Sequence, residues 1–303
     1  MKDVIIVGGS AAGVTAGIYC IRSGLNTMLI TDNFGGQLLL TEKVENFTGF
    51  KNIASFDLAM KFREHLMNYK EAEILEGIKA KKIERKGKTF IVKTQDSKEF
   101  ESKAVIIATG KKPKKLEVTG AKKLEHKGIH YCAVCDGPLY KGKSVAVIGG
   151  GYSGIEEALY LSNIVEKVFV LEFGSELGGE EITKKQLLKK ENIEILFNAE
   201  LLEVLGEKTV EGIKFKIKGN EKELQVSAVF VNIGEIPNSD LINFVEKNKR
   251  KEIKVNSKNE TSVKGVFAAG DVTDCPVHQL IVAAGEGCKA AIYTNQFLQE
   301  KKD

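Results

Sequence analysis

The sequence contains no tryptophan, few aromatic residues and no long apolar run, and each scarcity excludes a class of protein. No stretch approaches the roughly 18 apolar residues that a membrane span needs, so we expect no membrane partner. Lys and Arg exceed Asp and Glu only by 45 to 41, and the basic residues are scattered along the chain. Without a basic face or a set of stacking aromatics, binding to nucleic acid is not indicated.

Cysteine is scarce as well: only five are present, and only Cys132 and Cys135 lie close together. That is not the pattern of a secreted disulfide framework. The chain also enters an apolar run at residues 4–7 without the basic start, apolar stretch and cleavage site of a signal peptide. We therefore predict a cytoplasmic protein whose single Cys-x-x-Cys pair serves redox or metal chemistry.

Two segments, residues 4–31 and 145–172, share one design: an apolar strand, a glycine-rich turn, an apolar helix and a second strand. Short apolar strands that alternate with helices are typical of parallel sheets covered on both faces. A chain of 303 residues is also long for a single core. We predict an α/β protein with two Rossmann-like nucleotide-binding domains of the kind found in FAD- and NAD(P)-linked disulfide reductases.

Pro113 and Pro237 mark the predicted domain boundaries, because each follows an apolar strand that ends in glycine. The first predicted domain is discontinuous and comprises residues 1–113 and 244–303. The second comprises residues 114–243 and carries the cysteine pair.

Both glycine turns fit a dinucleotide site, in which glycines allow a tight turn, close approach of the pyrophosphate and close packing of helix on strand. The second turn has glycine at all three positions, Gly149, Gly151 and Gly154. The first has Gly8 and Gly13 at the outer positions and Ser10 in the middle. Either turn taken alone could also be a tight connection without a ligand.

Glu172 ends the second strand of the second segment, about twenty residues after the glycine turn. A carboxylate here accepts hydrogen bonds from the ribose hydroxyls of NAD and repels the 2′-phosphate of NADP. Residues 173–176 contain no Arg or Lys to bind that phosphate, so the electrostatics favour NADH over NADPH. The alternative is a solvated strand end without a ligand.

Cys132 and Cys135 precede the second glycine turn. Two thiols at this spacing can close a small disulfide ring, and the motif commonly keeps one of them available as a thiolate. The adjacent Asp136 is placed to move a proton as the disulfide opens and closes. Zinc is the competing interpretation, with Cys275 and His278 as a second ligand pair, although the two pairs lie far apart in the sequence.

The order of these parts resembles thioredoxin reductase of the small bacterial and archaeal type over nearly the whole chain. The most specific motif is Cys-Ala-Val-Cys-Asp-Gly at residues 132–137. The other matching motifs lie at residues 35–38, 44–47, 108–110, 156–158 and 265–271. The resemblance implies a homodimer with FAD on the first domain. It also implies two domains that rotate, so that the disulfide faces the flavin and a protein substrate in turn.

The resemblance further implies which residues contact FAD. They are Gly8, Ser10, Ala11, Ala12 and Gly13 at the pyrophosphate; Thr31, Asp32, Gly36 and Gln37 along the adenosine and flavin; Asn46 near the isoalloxazine; Asp271 at the ribitol and phosphate; His278, Gln279 and Leu280 over the ring; and Thr109, Gly110 and Gly270 as further contacts. The family usually has Arg-Gln-Ala over the ring, so His278 and Leu280 are departures.

A larger departure concerns the electron donor. Members that use NADPH have a His-Arg-Arg motif where this chain has Glu172, Phe173 and Gly174, and a further Arg where it has Gly178. NADPH is therefore not expected. The remaining donors are NADH and a non-nicotinamide donor, either ferredoxin or a deazaflavin, and the intact second glycine turn favours NADH.

The predicted function is a relay from the donor to FAD, to the Cys132–Cys135 disulfide, and then to a thioredoxin- or glutaredoxin-like protein. By analogy with the family, Cys135 lies next to the flavin, Cys132 becomes the attacking thiolate, and Asp136 supplies the proton. Two alternatives stay open: a reductase for a peroxidase system or a small-molecule disulfide, and a non-catalytic redox sensor that binds nucleotide.

Overall fold

The computed structural model describes residues 1–300, and the chain divides into two compact units. Unit 1 comprises Met1–Leu39, Lys43–Lys112 and Ile236–Asp303, and unit 2 comprises Leu40–Glu42 and Pro113–Glu235. Within residues 1–300, no helix is both long enough and apolar enough to cross a membrane.

The strands and helices follow one another along the chain with short connections. The strands are β1 (Lys2–Gly9), β2 (Thr27–Phe34), β3 (Lys43–Val44), β4 (Ile53–Ala54), β5 (Glu73–Glu76), β6 (Ala80–Lys86), β7 (Thr89–Thr94), β8 (Glu99–Ile107), β9 (Lys111–Pro113), β10 (Ile129–His130), β11 (Ser144–Ile148), β12 (Lys167–Glu172), β13 (Ile193–Phe197), β14 (Ala199–Leu205), β15 (Gly212–Ile217), β16 (Asn220–Leu224), β17 (Ala228–Val231), β18 (Glu235–Pro237) and β19 (Val266–Ala268). The helices are α1 (Ala11–Arg22), α2 (Ser55–Met67), α3 (Ala121–Leu124), α4 (Ala133–Asp136), α5 (Tyr152–Ser162), α6 (Glu181–Leu187) and α7 (Leu280–Gln299), with 3₁₀ turns at Gly36–Leu40 and Gly137–Tyr140.

Unit 1 is built on a seven-stranded sheet whose parallel part has the order β5-β2-β1-β8-β19. The antiparallel hairpin of β6 and β7 extends this sheet from the first half of β8. One face packs on α1 and α7, and the other packs on the hairpin and on side chains from residues 241–253. Because both faces are covered, the central strand β1 is apolar throughout its middle.

Unit 2 contains a parallel sheet of order β10-β17-β11-β12-β13. Helices α5 and α6 cover one face, and the three-stranded antiparallel sheet β14-β15-β16 covers the other. Each unit therefore has a parallel sheet that opens with strand, glycine turn and helix. The predicted fold class, two Rossmann-like α/β domains, is confirmed.

The second boundary differs from the predicted one, because residues 236–243 pack in unit 1. The Thr109 hydroxyl donates to the carbonyl oxygen of Asn238 at 2.7 Å, and the Asn238 amide donates to the Thr109 carbonyl at 3.0 Å. Leu241 and Ile242 are buried in the core of unit 1. The chain thus rejoins unit 1 at Ile236, and its next apolar residues fill the core of that unit.

Candidate active site

Cys132 and Cys135 form a disulfide at the start of α4, with their Cα atoms 5.4 Å apart. Cys132 is buried, at 7% exposure, whereas Cys135 is exposed. The backbone N–H of Cys135 donates to the sulfur of Cys132 at 3.1 Å. Because a donated hydrogen bond favours the charged form of an acceptor, this contact stabilises a thiolate at Cys132 once the bridge opens.

The zinc interpretation does not describe this arrangement. The bridge joins the sulfurs of Cys132 and Cys135, two of the four ligands that this interpretation needs. In the part of the chain that the structure covers, no cluster of three or more His, Cys, Asp or Glu side chains could hold a metal ion.

Glu157 on α5 contacts α4, a role that the sequence analysis did not predict, since it placed this residue only within the motif at residues 156–158. One carboxylate oxygen accepts the backbone N–H of Ala133 at 3.0 Å, and the other accepts the side-chain amide of Asn232 at 2.5 Å. Burial raises the pKa of Glu157 above its ordinary value, although these two hydrogen bonds act in the opposite direction. The side chain therefore ties α4 to α5 and to the end of β17. An acidic residue on the buried face of a helix was the signal that could have found it.

The first glycine turn links β1 to α1 and admits no side chain at its outer positions. Gly8 has a φ of +124°, and a Cβ added at Gly13 would lie 1.9 Å from the carbonyl oxygen of Gly8. The Ser10 hydroxyl donates to the carbonyl oxygen of Gly35 at 2.7 Å, which shows how this turn accommodates a side chain in its middle. Helix α1 has no acidic residue in its first turn, so its first N–H groups can receive a phosphate.

Other residues predicted to contact FAD come together in unit 1. A Cβ added at Gly270 would lie 3.1 Å from the Cβ of Ala12. Gly270, the residue before Asp271, therefore lies against the first glycine turn. The Asn46 amide donates to the side-chain oxygen of Gln279 at 3.2 Å. Leu280 joins a separate apolar cluster with Leu38 and Leu58.

Gln37 provides a direct test of whether this region fits a polar cofactor. Its side-chain nitrogen is buried and has no hydrogen-bond partner among residues 1–300. Buried amide groups are nearly always paired, so this donor lacks a partner that a bound cofactor would supply. Together with the glycine cradle at Gly8 and Gly13, it shows that the residues present fit FAD.

Two predicted FAD residues, Thr31 and Thr109, form hydrogen bonds within the protein, and a third, Asp32, is exposed. The Thr31 hydroxyl donates to the carbonyl oxygen of Asn33 at 2.6 Å, and the Thr109 hydroxyl donates to Asn238. Asp32 is exposed near the end of β2. The two hydroxyls hold the backbone of unit 1, and the flavin contacts of all three residues stay predictions.

A buried ion pair lies beside the residues predicted to cover the flavin. The ammonium of Lys111 is 2.7 Å from a carboxylate oxygen of Glu252, with side chains 6% and 8% exposed, and 3.1 Å from Nε2 of His278. The pKa of Glu252 is lowered below its ordinary value: burial acts to raise this pKa, but the hydrogen bonds from Lys111 and Asn248 outweigh burial. Burial raises the pKa of Asp271, although His278 and Lys111 act in the opposite direction.

Lys111→Met is expected to lower the free energy of unfolding at pH 7 by about 3–5 kcal/mol, because it leaves a buried carboxylate without its cation. A pKa lowered in the folded state means that Glu252 contributes stability above its unfolded pKa and loses it as the pH falls through the folded pKa. The deficit should therefore shrink below about pH 4. Urea denaturation of the variant and the wild type between pH 3.5 and 7 measures this difference in the free energy of unfolding. Lys112→Met, at an exposed neighbour, is the control and should change stability by less than about 0.5 kcal/mol.

The second glycine turn links β11 to α5 and carries Glu172 beside it. One Glu172 oxygen accepts the backbone N–H of Gly150 and the other that of Gly174, each at 2.6 Å. Each carboxylate oxygen can accept more than one bond, so ribose hydroxyls can still be bound. The backbone N–H of Gly178 donates to the Gly150 carbonyl at 2.8 Å, which holds the loop after β12 against the turn.

Two substitutions in this turn separate folding from nucleotide binding. A Cβ at Gly154 would lie 1.9 Å from the carbonyl oxygen of Gly149, so Gly154→Ala should destabilise unit 2 by about 3 kcal/mol. A Cβ at Gly151 would meet no atom within 4 Å, so Gly151→Ala should leave the thermal unfolding temperature unchanged. If the pyrophosphate approaches there, Gly151→Ala should still slow flavin reduction by NADH about tenfold or more. Equal unfolding temperatures and equal NADH rates in Gly151→Ala and wild type would contradict the nucleotide site.

Two Rossmann-like units, one of which carries a disulfide at a helix start, define a nucleotide-dependent disulfide oxidoreductase. Residues 2–287 match the family described as pyridine nucleotide-disulphide oxidoreductase, and the chain belongs to this family. The family implies a flavin and a nicotinamide nucleotide as cofactors. The predicted family, flavin oxidoreductases that act on disulfides, is confirmed.

Solved structures and curated relatives place the chain more closely. T. acidophilum thioredoxin reductase is 38% identical with a TM-score of 0.92, over 100% of this chain and 99% of that one. Lactococcus lactis thioredoxin reductase is 31% identical with a TM-score of 0.95, over 99% and 100%. The predicted resemblance to thioredoxin reductases is therefore confirmed.

An NADH dehydrogenase of Bacillus subtilis (strain 168) is 40% identical over 98% of this chain, which spans 58% of that relative's length. One component of the alkyl hydroperoxide reductase of Staphylococcus aureus (strain NCTC 8325 / PS 47) is 41% identical over 96% of this chain, which again spans 58% of it.

Proposed function

We propose that the protein is a flavin-dependent protein-disulfide reductase. It takes electrons from NADH and passes them through Cys132 and Cys135 to a thioredoxin- or glutaredoxin-like protein. The observation that carries the proposal is the disulfide at the start of α4, in which Cys135 is exposed and the Cys132 sulfur accepts a backbone N–H. Family membership supports the flavin, and a cytoplasmic homodimer remains our expectation from the resemblance.

The residues that would hold FAD surround the first glycine turn. The first N–H groups of α1 would bind the pyrophosphate, and the unpaired amide of Gln37 would donate to the cofactor. When bound, FAD supplies the electrons that open the disulfide. Opening takes up two electrons and one proton and leaves a thiolate at Cys132 and a thiol at Cys135, with Asp136 as the proton donor.

The dithiol then reduces the partner by two exchange steps. The Cys132 thiolate attacks one sulfur of the partner's disulfide, and the other partner sulfur leaves as a thiolate. Asp136 takes the proton from Cys135, whose sulfur attacks the mixed disulfide at Cys132. This step closes the Cys132–Cys135 bridge again and releases the partner with both of its sulfurs reduced.

Two observations support NADH as the donor. Glu172 places a carboxylate at the second glycine turn, and residues 173–180 contain no Lys or Arg that could bind a 2′-phosphate. A relative that is 40% identical is named an NADH dehydrogenase. Ferredoxin remains the alternative donor, because a ferredoxin-flavin thioredoxin reductase from Clostridium acetobutylicum is 30% identical with a TM-score of 0.55.

A peroxidase system is the second candidate for the partner. The similarity to a component of alkyl hydroperoxide reductase favours it. A coupled assay with FAD-loaded protein and NADH separates the candidates: a thioredoxin, a glutaredoxin and a peroxiredoxin are each supplied in the disulfide form, and new thiols are counted. We expect thiols on the thioredoxin or the glutaredoxin. NADH consumption that yields hydrogen peroxide but no thiols on any of the three would contradict the proposed function.

A further inference from the structure

His130 lies between Asp136 and Tyr140, close in sequence to the Cys132–Cys135 pair. His130 ends β10, two residues before Cys132, and is 7% exposed. Its Nδ1 is 3.0 Å from a carboxylate oxygen of Asp136, and its Nε2 is 2.8 Å from the Tyr140 hydroxyl. The ring also stacks on Phe230 of β17, with centroids 5.5 Å apart. The imidazole is therefore held on three sides.

The charge state of His130 fixes the direction of both hydrogen bonds. Burial lowers the pKa of His130 below its ordinary value, although the Asp136 carboxylate acts in the opposite direction, and this shift favours the neutral ring. A neutral imidazole has one N–H donor and one acceptor nitrogen, and an ionised carboxylate can only accept. Nδ1–H therefore donates to Asp136, and the Tyr140 hydroxyl donates to Nε2.

We propose that His130 is a positioning residue for Asp136, and that Tyr140 keeps it in the tautomer that this role requires. The Nδ1–H group holds one Asp136 oxygen, which leaves the other oxygen to exchange a proton with the reacting thiol. Removing this donor would leave the carboxylate without the N–H that its charged form accepts. The inference rests on the proposed function, in which Asp136 takes the proton from Cys135.

Few other ionisable groups face this cluster. His126 in the preceding turn acts electrostatically on His130. The Lys143 ammonium lies 5.9 Å from the centre of the Tyr140 ring, and Glu157 contacts the backbone of α4 on the side of Ala133. None of these groups replaces the N–H that His130 gives to Asp136.

The test follows closure of the disulfide and needs neither a flavin donor nor a protein partner. The holoenzyme is first reduced with dithiothreitol, which is then removed. The reduced protein is mixed with 5,5′-dithiobis(2-nitrobenzoic acid) in a stopped-flow instrument. The second release of thionitrobenzoate reports attack by the remaining thiol, and its rate is recorded from pH 5 to 9. The double variant Cys132→Ser/Cys135→Ser supplies the background from Cys20, Cys275 and Cys288.

His130→Ala should lower this rate about tenfold at pH 7 and move the acid limb of its pH profile upward by about one pH unit. His130→Asn retains an N–H near the position of Nδ1 and should restore the midpoint of that limb to within about 0.3 pH units. Tyr140→Phe keeps the ring and should give a shift smaller than that of His130→Ala. The Asn variant keeps the test valid even if the Ala variant folds poorly.

A purely structural role for His130 would lower the rate equally at every pH, and an unmoved midpoint in His130→Ala would overturn the inference. Failure of the proposed function has a different result, because wild-type enzyme would then reduce no protein disulfide with any donor. The pH profile for closure of the Cys132–Cys135 disulfide would be unaffected by that failure.

Discussion

Cys135→Ser and Cys132→Ser are each expected to lower the rate of protein-disulfide reduction at least about a thousandfold while the flavin remains reducible by its donor. Serine has almost the size of cysteine but forms no disulfide, so electrons cannot leave along the proposed path. Cys132 is the N-cap of the four-residue helix α4 and Cys135 lies within it. Neither belongs to the main core clusters of unit 2, so the fold should persist. Anaerobic flavin reduction measures electron transfer from the donor to the flavin. Thiol counting on the partner measures electron transfer from the cysteine pair to the partner.

The two cysteine variants should also differ from each other. Under the proposed roles, Cys135→Ser retains the attacking thiol, so it should trap the partner in a mixed disulfide through Cys132. Cys132→Ser should trap little or none. Cys288→Ser, at a free cysteine on α7, is the matched control and should retain full activity. Protein-disulfide reduction that survives in both Cys132→Ser and Cys135→Ser would remove the basis of the proposed function.

The parts of the candidate site that could be predicted are those with a local pattern. The cysteine pair and the two glycine turns each lie within about six residues, and helix, strand and turn preferences act over that range. The same preferences predicted both parallel sheets, because β1 and β11 are short, apolar and followed at once by a turn and a helix. The second boundary lies eight residues before the predicted one, since β18 and the core residues after it carry no strong break in composition.

The parts that could not be predicted join residues that are distant in sequence. Lys111 and Glu252 are 141 positions apart, and Glu157 reaches Ala133 across 24. Glu286 on α7 accepts the backbone N–H of Gly270 at 2.7 Å, and only the packing of α7 creates that contact. His130 is close to Asp136 in sequence, but nothing in the local pattern indicates that a turn will place the two side chains together. Such pairs are properties of the tertiary fold rather than of a motif.

NADH is expected to reduce the flavin with a kcat/KM at least about a hundredfold above that of NADPH. The Glu172 carboxylate lies at the glycine turn and would face the 2′-phosphate of NADPH, and a like-charge pair costs several kcal/mol. A factor of one hundred corresponds to about 2.7 kcal/mol, which is within that range. Stopped-flow bleaching of the flavin absorbance under anaerobic conditions gives both values in the same preparation.

Variants at two neighbouring positions test whether Glu172 causes this preference. Glu172→Gln removes the charge but keeps an oxygen for one of the two backbone N–H groups, so the preference for NADH should shrink about tenfold or more. Phe173 is 74% exposed, and adding Phe173→Arg to Glu172→Gln supplies a cation for the 2′-phosphate and should reverse the preference. Phe173→Ala alone is the control and should leave the ratio unchanged. Reduction of wild-type enzyme by NADPH but not by NADH would show that Glu172 does not select the nucleotide. Reduction by ferredoxin alone would show that the second glycine turn does not deliver electrons.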